Sequence, residues 1–146
     1  MKQLLLLQEA YSNFPRFLVT TRGQGDIPPI RGISACYFVV DINQGRWRNP
    51  FRLGWAFLQY GWIYWRERPN LLISTGPGIA VPGFVLGRLL RMKTIFIESG
   101  SRMVSLSQSG RLCYLFADLF LVQNQGLAQK HSRASYHGIL YENLAE

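Results

Sequence analysis

The sequence is poor in the residues that build metal centres and disulfide frameworks. Its 146 residues include two cysteines, Cys36 and Cys113, and two histidines, His131 and His137. Two cysteines cannot form a disulfide framework or a cysteine-based zinc site. Histidines six residues apart do not match the i, i+4 spacing of a helical metal pair. We therefore expect buried free thiols, no bound metal and no cofactor.

Charged residues are also scarce, and acidic residues are the scarcest. Charged residues make up 16% of the chain, and eight Asp and Glu against 16 Lys and Arg give a net charge of +8. Because 48% of the residues are hydrophobic, the composition predicts a single folded domain over residues 1–146. The basic excess and the 14% aromatic content indicate an anionic partner, which is nucleic acid, a membrane surface or a phosphorylated substrate.

A long apolar run free of helix breakers is absent. Residues 69–87 carry no charge, but they include three prolines and four glycines. Helix-breaking residues at this density predict a strand, a loop and a helix rather than a membrane span.

The pattern of apolar segments predicts strands that alternate with helices. Helices are expected at residues 2–13, 51–68, 79–91, 109–116 and 126–131, the second of them with Asn49 as N-cap. Strands are expected at residues 17–21, 37–40, 71–75, 94–98, 118–122 and 134–136. This order favours an α/β fold with a Rossmann-like parallel sheet covered on both faces.

A glycine-rich loop follows the predicted strand at residues 71–75. It includes Thr75, Gly76, Pro77 and Gly78, and a helix comes next. Glycines let the backbone approach a phosphate, and the helix N-terminus offers free N–H groups. The glycine spacing matches neither a dinucleotide fingerprint nor a P-loop. The loop is thus either a phosphate site or a tight turn without a ligand.

Glu98 ends the next predicted strand and is followed by Ser99 and Arg102. Because ligands of open parallel sheets bind at the carboxyl ends of the strands, Glu98 is expected to face the same crevice as the glycine loop. Its carboxylate could act as a base, bind a sugar hydroxyl or pair with Arg102.

The helix predicted at residues 51–68 has two apolar stripes. At about 100° per residue, one stripe is formed by Phe51, Trp55, Leu58, Trp62 and Trp65, and the other by Leu53, Phe57, Tyr60 and Tyr64. One stripe can cover the sheet, and the other needs a partner. Flanking arginines, including Arg48 and Arg52, indicate a membrane-interface helix, and burial against a partner protein is the alternative.

Three segments resemble a signature of the Alg/Pss-type oligosaccharide biosynthesis family. They are residues 68–82, 93–99 and 117–123, and they occur in the family's order. Members are membrane-associated subunits of two-subunit glycosyltransferases, which serve lipid-linked oligosaccharide or bacterial exopolysaccharide synthesis. The resemblance implies the amino-terminal half of a GT-B glycosyltransferase, which binds a lipid-diphosphate-linked acceptor. It also implies a small catalytic partner that binds the UDP-sugar, for example UDP-N-acetylglucosamine.

The resemblance also assigns roles to individual residues. It implies that the loop at residues 76–78 approaches the acceptor diphosphate and that Glu98 lines the cleft between the subunits. On the hypothesis of an acceptor-binding subunit, Glu98 is the candidate catalytic residue. The candidate phosphate-binding residues are then Thr75, Gly76, Pro77, Gly78, Ser99 and Arg102. The residues expected to contact the membrane are Arg48, Arg52, Trp55, Trp62 and Trp65. Those expected to contact the partner are Tyr141 and Leu144. The chain would then lie at the cytoplasmic face of the membrane as a peripheral or monotopic protein.

The chain departs from the family pattern at its start. Members begin with a strand and a Gly-Gly-His loop, whereas this chain starts at the helix that follows them, so the central strand of the sheet is expected to be lacking. Two other functions remain open. The chain could be a non-catalytic membrane scaffold that only docks the partner, or a nucleic-acid binder, although its basic residues are scattered and no nucleic-acid motif occurs.

Overall fold

The computed structural model describes residues 13–21, 32–42, 50–76, 78–102 and 104–139. The strands are β1 Arg16–Thr21, β2 Ile33–Val39, β3 Leu71–Ser74, β4 Lys93–Ile97, β5 Leu119–Val122 and β6 Ala134–Tyr136. The helices are α1 Pro50–Glu67, α2 Ala80–Leu89, α3 Gln108–Phe116 and α4 Gln125–Lys130. The predicted alternation is confirmed here. The helix predicted at residues 2–13, apart from Asn13, and the predicted N-cap Asn49 lie outside the described residues.

Every described strand pair is parallel. β1 pairs with β2, and β3, β4, β5 and β6 follow one another in a four-stranded sheet. The strands of that sheet therefore end together at one side, here called the carboxyl edge, and begin together at the amino edge. This topology confirms the predicted Rossmann-like α/β class.

Strand β2 differs from its prediction, because it begins at Ile33 and not at Tyr37. Exposure alternates along it, with Ser34, Cys36 and Phe38 exposed between half-buried neighbours. Alternation indicates a strand with one solvated face, and a search for continuous apolar runs does not detect such a strand. The expectation of two buried thiols is also wrong, since Cys36 is exposed on this face while Cys113 is buried.

The parallel strands divide into two sheets between β1 and β3. Among the described residues no ladder of hydrogen bonds joins these two strands. Phe17 and Val19 of β1 and Leu72 of β3 nevertheless pack against the same cluster of buried side chains. The division therefore lies between a two-stranded and a four-stranded parallel sheet. The structure is accordingly a partial Rossmann-like domain.

Helix α1 joins the two sheets through a buried face that includes Tyr60 and Tyr64 of one predicted stripe, whereas Leu53 of that stripe is exposed. Its buried residues are Ala56, Tyr60, Ile63 and Tyr64. Tyr60 and Tyr64 share a cluster with Val39 of β2 and with Met92 beside the four-stranded sheet. Hydrogen bonds add to this contact: the Val40 N–H donates to Gln59 Oε1 at 2.9 Å, and the Tyr37 hydroxyl donates to Glu67.

The four-stranded sheet has its own aromatic core. Phe84 of α2 meets Phe96 of β4 edge-on at 5.6 Å, and Phe96 stacks on Phe120 of β5 at 5.1 Å. These rings are at most 1% exposed. Since a buried Phe contributes roughly 1.5–3 kcal/mol by leaving water, this cluster fixes α2 on the sheet.

The uncharged residues 69–87 do not form a single helix. They contain β3, a loop and most of α2, as the sequence predicts. Among the described helices, none is long and apolar enough to cross a membrane.

Candidate functional site

Two loops meet at the carboxyl edge, one after β3 and one after β4. Gly76 has φ of +105°, and a Cβ there would lie 3.9 Å from the Ile97 carbonyl and 4.0 Å from the Ser99 amide nitrogen. A residue other than glycine would be strained at this backbone angle. The glycine loop and the residues after Glu98 are thus neighbours, as the sequence predicts.

Glu98 is buried in the second of these loops, with 1% of its surface exposed. Its Oε1 accepts a hydrogen bond from the Ser99 N–H at 3.0 Å. Its Oε2 accepts from both the N–H and the hydroxyl of Ser107, each at 3.0 Å. The alternative of a Glu98–Arg102 ion pair is not realised, because the ion pairs in the described part of the chain are Arg66–Glu67 and Arg88–Asp118.

Ser107 connects this carboxylate to helix α3. It is the N-cap of α3, and its hydroxyl accepts from the Gly110 N–H at 2.9 Å. The Glu98 carboxylate therefore lies at the positive end of a helix, where negative charge is stabilised. Gly110 is pressed against Glu98 so closely that a Cβ there would overlap Oε2.

The start of α3 also holds the glycine loop. The Ser109 hydroxyl donates to the Gly76 carbonyl at 2.8 Å and lies 3.2 Å from the Ser107 hydroxyl. A continuous chain of contacts thus runs from Glu98 through Ser107 and Ser109 to Gly76. Residues from two loops and one helix are locked together at this edge.

Gln123 completes the site at the end of β5. It is 7% exposed, and its Nε2 donates to the Glu98 carbonyl at 2.9 Å. No functional role was predicted from the sequence for Gln123, Ser107, Ser109 or Gly110. Their positions after a strand and at the start of a helix could have indicated a role. Ser107 was not recognised as an N-cap, because the helix was predicted to begin at Ser109.

The predicted phosphate-binding residues lie in and beside this network of hydrogen bonds. Thr75 and Ser99 are half-buried, Gly78 is buried, Arg102 is exposed, and Pro77 lies outside the described residues. The Ser99 and Ser101 hydroxyls are 2.9 Å apart. Helix α2 begins just after the loop, and no side chain caps its N-terminus at Ile79. The Val81 N–H already donates to the Gly78 carbonyl at 3.1 Å, and Pro82 has no N–H. What this helix end offers to an anion is therefore mainly the positive end of the helix dipole.

Burial strongly affects the thiol beside this centre. Cys113 is fully buried on α3, and burial together with the nearby Glu98 carboxylate raises its pKa to about 12. The thiol is therefore protonated at neutral pH, which makes it unsuited to act as a nucleophile. In the described part of the chain, no group of three His, Cys, Asp or Glu side chains could hold a metal ion.

The second apolar stripe of α1 is exposed. The exposed fractions are 58% for Trp55, 50% for Trp62 and 75% for Trp65. Phe51 and Leu58 extend the stripe and are exposed as well. We call these five residues the Trp face. Trp55, Leu58 and Trp62 also line, with Tyr37 and Phe38 of β2, an apolar recess of about 270 Å³.

Cationic side chains flank the Trp face, as the helical periodicity of the sequence predicts. Arg52 is exposed, and the Arg66 guanidinium lies 5.5 Å from the centroid of the Trp62 ring. Arg48, Tyr141 and Leu144 lie outside the described residues, so their predicted contacts with membrane and partner stay predictions.

Comparison with known proteins places these features in a family. Residues 38–140 match the model of a family described as oligosaccharide biosynthesis protein Alg14 like. This range includes the glycine loop, Glu98 and all of α3.

Curated relatives agree with the family match. A UDP-N-acetylglucosamine transferase subunit of Schizosaccharomyces pombe is 36% identical over 107 residues, which cover 68% of this chain and 51% of the relative. The subunit of Eremothecium gossypii is 41% identical over 78 residues, or 49% of this chain and 35% of the relative. The human subunit is 33% identical over 79 residues, or 50% of this chain and 37% of the relative.

The chain spans at most about half the length of these relatives, 51% in the Schizosaccharomyces pombe protein. The family match nevertheless covers more than half of this chain and includes both loops of the carboxyl edge. With its partial Rossmann-like fold and its site at the strand ends, the chain belongs to the Alg14 family of oligosaccharide biosynthesis proteins.

Proposed function

We propose that this chain is the acceptor-binding subunit of a two-subunit glycosyltransferase. A separate catalytic subunit supplies the UDP-sugar, and this chain binds a lipid-diphosphate-linked acceptor and recruits the catalytic subunit to the membrane. The relatives support this proposal, because they are named UDP-N-acetylglucosamine transferase subunits. The pathway is lipid-linked oligosaccharide or polysaccharide biosynthesis, and the chain contributes the amino-terminal half of a GT-B enzyme.

The observation that carries the proposal is the meeting of the Gly76 and Ser99 loops at the carboxyl edge. In open parallel sheets this is where ligands bind. The N-terminus of α2, which no side chain caps, offers the positive end of its helix dipole to a phosphate, and the exposed Arg102 offers a positive charge. We assign the acceptor diphosphate to this place, with Thr75, Gly76, Pro77, Gly78, Ser99 and Arg102 around it.

Sugar transfer also needs a base near the acceptor hydroxyl. Glu98 remains the candidate, and its carboxylate lies within the same loop. In the free chain its oxygens are engaged by Ser99 and Ser107. Catalysis would require acceptor or partner binding to open this arrangement.

Membrane attachment is assigned to the Trp face. Trp side chains prefer the interfacial region of a bilayer, and flanking arginines attract anionic headgroups. The proposal places the chain at the cytoplasmic surface of a membrane as a peripheral or monotopic protein. The apolar recess beside Trp62 is suited to a lipid chain, because its lining is aromatic and aliphatic.

The decisive experiment reconstitutes the chain with its donor-binding subunit, a UDP-sugar and the lipid-diphosphate acceptor. Gly76→Val should abolish acceptor binding, because a φ of +105° is strained for a β-branched residue and the loop must change conformation to relieve that strain. Gly61→Val is the matched control, since nothing lies within 4 Å of a Cβ at Gly61. Equal acceptor affinity in the two variants contradicts the proposed site.

Glu98→Gln separates catalysis from binding in the same assay. Lower turnover with unchanged acceptor affinity supports the catalytic role, provided that Ser107→Ala, which loosens the same hydrogen bonds, keeps its turnover. Unchanged turnover in Glu98→Gln removes Glu98 from catalysis.

A second function is favoured by the burial of Glu98, whose exposed fraction is 1%. A carboxylate with this little exposure suits a structural role, as in a non-catalytic scaffold that only docks the partner at the membrane. In that case partner binding and vesicle binding persist in Gly76→Val, and turnover by the assembled enzyme is unaffected.

A further inference from the structure

A group of cationic and apolar residues lies at the amino edge, far from the candidate acceptor site. We call it the basic corner, and it consists of Arg88, Leu89, Leu90, Arg91 and Lys93. These residues end α2 and begin β4, whereas the acceptor site follows the ends of β3 and β4. The basic corner is therefore a separate surface.

The cations of the basic corner line a recess. Arg88, Arg91 and Lys93, together with Met92 and Asp118, surround a volume of about 400 Å³. This recess is the right size for a phosphate ester and its immediate substituents.

The recess keeps a positive charge even though it includes an acid. The Asp118 carboxylate already accepts hydrogen bonds from the N–H and hydroxyl of Thr94, at 2.9 and 3.1 Å, and it pairs with Arg88 at 2.9 Å. Neither Arg91 nor Lys93 forms an ion pair with an acid in the described ranges of the chain. Two exposed cations thus remain available to an anion.

Two leucines beside the cations indicate what kind of anion fits. Leu89 is 72% exposed and Leu90 is 59% exposed. A soluble anion gains nothing from adjacent exposed leucines. A bilayer accommodates both features, because leucines enter the acyl region while the cations meet headgroup phosphates.

The basic corner is continuous with the end of the Trp face. Leu71 pairs with Lys93, and the Lys93 N–H donates to the Asn70 carbonyl at 2.9 Å. The segment that leaves α1 after Trp65 therefore lies beside the segment that leaves α2 after Leu89. The carboxyl ends of both helices therefore lie at the amino edge of the sheet.

We propose that the basic corner is a second bilayer contact, in which Arg91 and Lys93 bind the phosphodiester of an anionic phospholipid. The proposal rests on the membrane contact of the Trp face and adds a lipid-headgroup site to it. The chain then meets the bilayer at two points, and this fixes its orientation.

The test is flotation of the purified full chain with vesicles of phosphatidylcholine alone or of equimolar phosphatidylcholine and phosphatidylglycerol. Arg91→Gln/Lys93→Gln should reduce binding to the anionic vesicles about 25-fold, since each cation near an anionic surface adds a factor of roughly five. Arg111→Gln/Lys130→Gln, which removes two exposed cations elsewhere, is the charge-matched control. Circular dichroism verifies that all variants are folded.

Two further variants separate this site from the Trp face. Leu89→Ser/Leu90→Ser should weaken binding to both vesicle types, and Trp62→Ala tests the Trp face alone. If Arg91→Gln/Lys93→Gln and its charge-matched control lose vesicle binding equally, the basic corner is overturned as a lipid site. This conclusion holds even if Trp62→Ala shows that the Trp face binds vesicles. If the unmodified chain floats with neither type of vesicle, both membrane contacts are overturned.

Inorganic phosphate identifies the source of the anion. Saturable binding of phosphate to the free chain that is lost in Arg91→Gln/Lys93→Gln, together with vesicle binding that is unchanged in that variant, would show a site for soluble phosphate and overturn the lipid assignment. Loss of vesicle binding in the variant, without saturable phosphate binding to the free chain, supports it.

Discussion

Gly110 lies directly against the Glu98 carboxylate, at the point where α3 begins. No side chain fits between them, because a Cβ at Gly110 would overlap Glu98 Oε2 and lie 2.9 Å from the Ser107 hydroxyl. Glycine is required here for space rather than for backbone conformation. Its absence of a side chain permits a buried carboxylate to sit on a helix N-terminus.

Gly110→Ala is expected to destabilise the fold by about 1–3 kcal/mol, the usual cost of overpacking. The methyl group must displace the carboxylate from Ser107 and thereby loosen the start of α3. Urea unfolding followed by circular dichroism measures the change. Gly54→Ala is the control, because nothing lies within 4 Å of a Cβ there, and alanine favours a helix interior over glycine. Equal stability of the two variants would contradict the close contact.

Gly83→Ala is expected to weaken the packing of α1 on α2. A Cβ at Gly83 would lie 2.8 Å from Tyr60 Cε1 and 2.9 Å from the Tyr64 hydroxyl. Both rings are buried, so the helices must separate. This overpacking lowers the free energy of unfolding by about 1–3 kcal/mol. The higher helix propensity of alanine offsets roughly 1 kcal/mol of that loss.

The matched control for that variant is Gly61→Ala on α1, which meets no atom within 4 Å. Thermal unfolding should show a lower midpoint for Gly83→Ala and an unchanged or higher midpoint for Gly61→Ala. A raised midpoint in Gly83→Ala would show that the interface has spare room. Tyr64→Phe provides an independent measure, because it removes the hydroxyl bond to the Gly83 carbonyl at 3.1 Å.

The two cysteines are expected to react at very different rates. Cys36 is exposed, while Cys113 is buried with its pKa raised to about 12 by burial and by Glu98. A chromogenic disulfide reagent at mildly alkaline pH should modify Cys36 in the native protein and Cys113 only in denaturant. The Cys36→Ser variant should then show no reactive thiol while folded. Rapid native labelling of that variant would contradict the burial of Cys113.

Asp118 is expected to make stability depend on acidic pH. Burial alone would raise its pKa, but hydrogen bonds from Thr94 and the charges of Arg88 and Lys93 hold the pKa below its ordinary value of 3.8. A lowered folded-state pKa contributes stability above pH 3.8, and this contribution is lost as pH falls through the folded-state pKa. Asp118→Asn should therefore lower stability at neutral pH and flatten its decline in acid.

Urea midpoints at neutral pH and below pH 3.8 measure this effect. Because the Asp118 side chain is 30% exposed, the difference is reduced by solvent screening. Parallel acid profiles in the two proteins would show that Asp118 does not contribute.

The sequence was sufficient for the features that depend on local pattern. The exposed Trp stripe of α1 followed from helical periodicity. The stripe expected to cover the sheet is confirmed in part: Tyr60 and Tyr64 are buried, but Leu53 is exposed. The buried Ala56 and Ile63 were in neither predicted stripe. Glu98 was also placed correctly at the end of a strand, since its apolar run was continuous.

Features that depend on distant contacts were missed. Ser107 was not linked to Glu98, because the bond between them closes a loop and follows from no periodicity. From the sequence, Gly110 cannot be distinguished from an ordinary helical glycine, because its contact with Glu98 is made only in the fold. Strand β2 was shortened in the prediction, because its Ser34 and Cys36 face solvent and interrupt the apolar run.

The role of α1 as the bridge between two sheets has a consequence for local opening. A two-stranded sheet is marginal by itself, and among the described elements β1 and β2 contact the rest of the protein mainly through α1. Hydrogen exchange should therefore divide the chain into two cooperative units. Amides of β4 and β5 exchange only with global unfolding, whereas those of β1 and β2 become exposed whenever α1 detaches, so a surface that holds α1 in place also protects the strands beneath it.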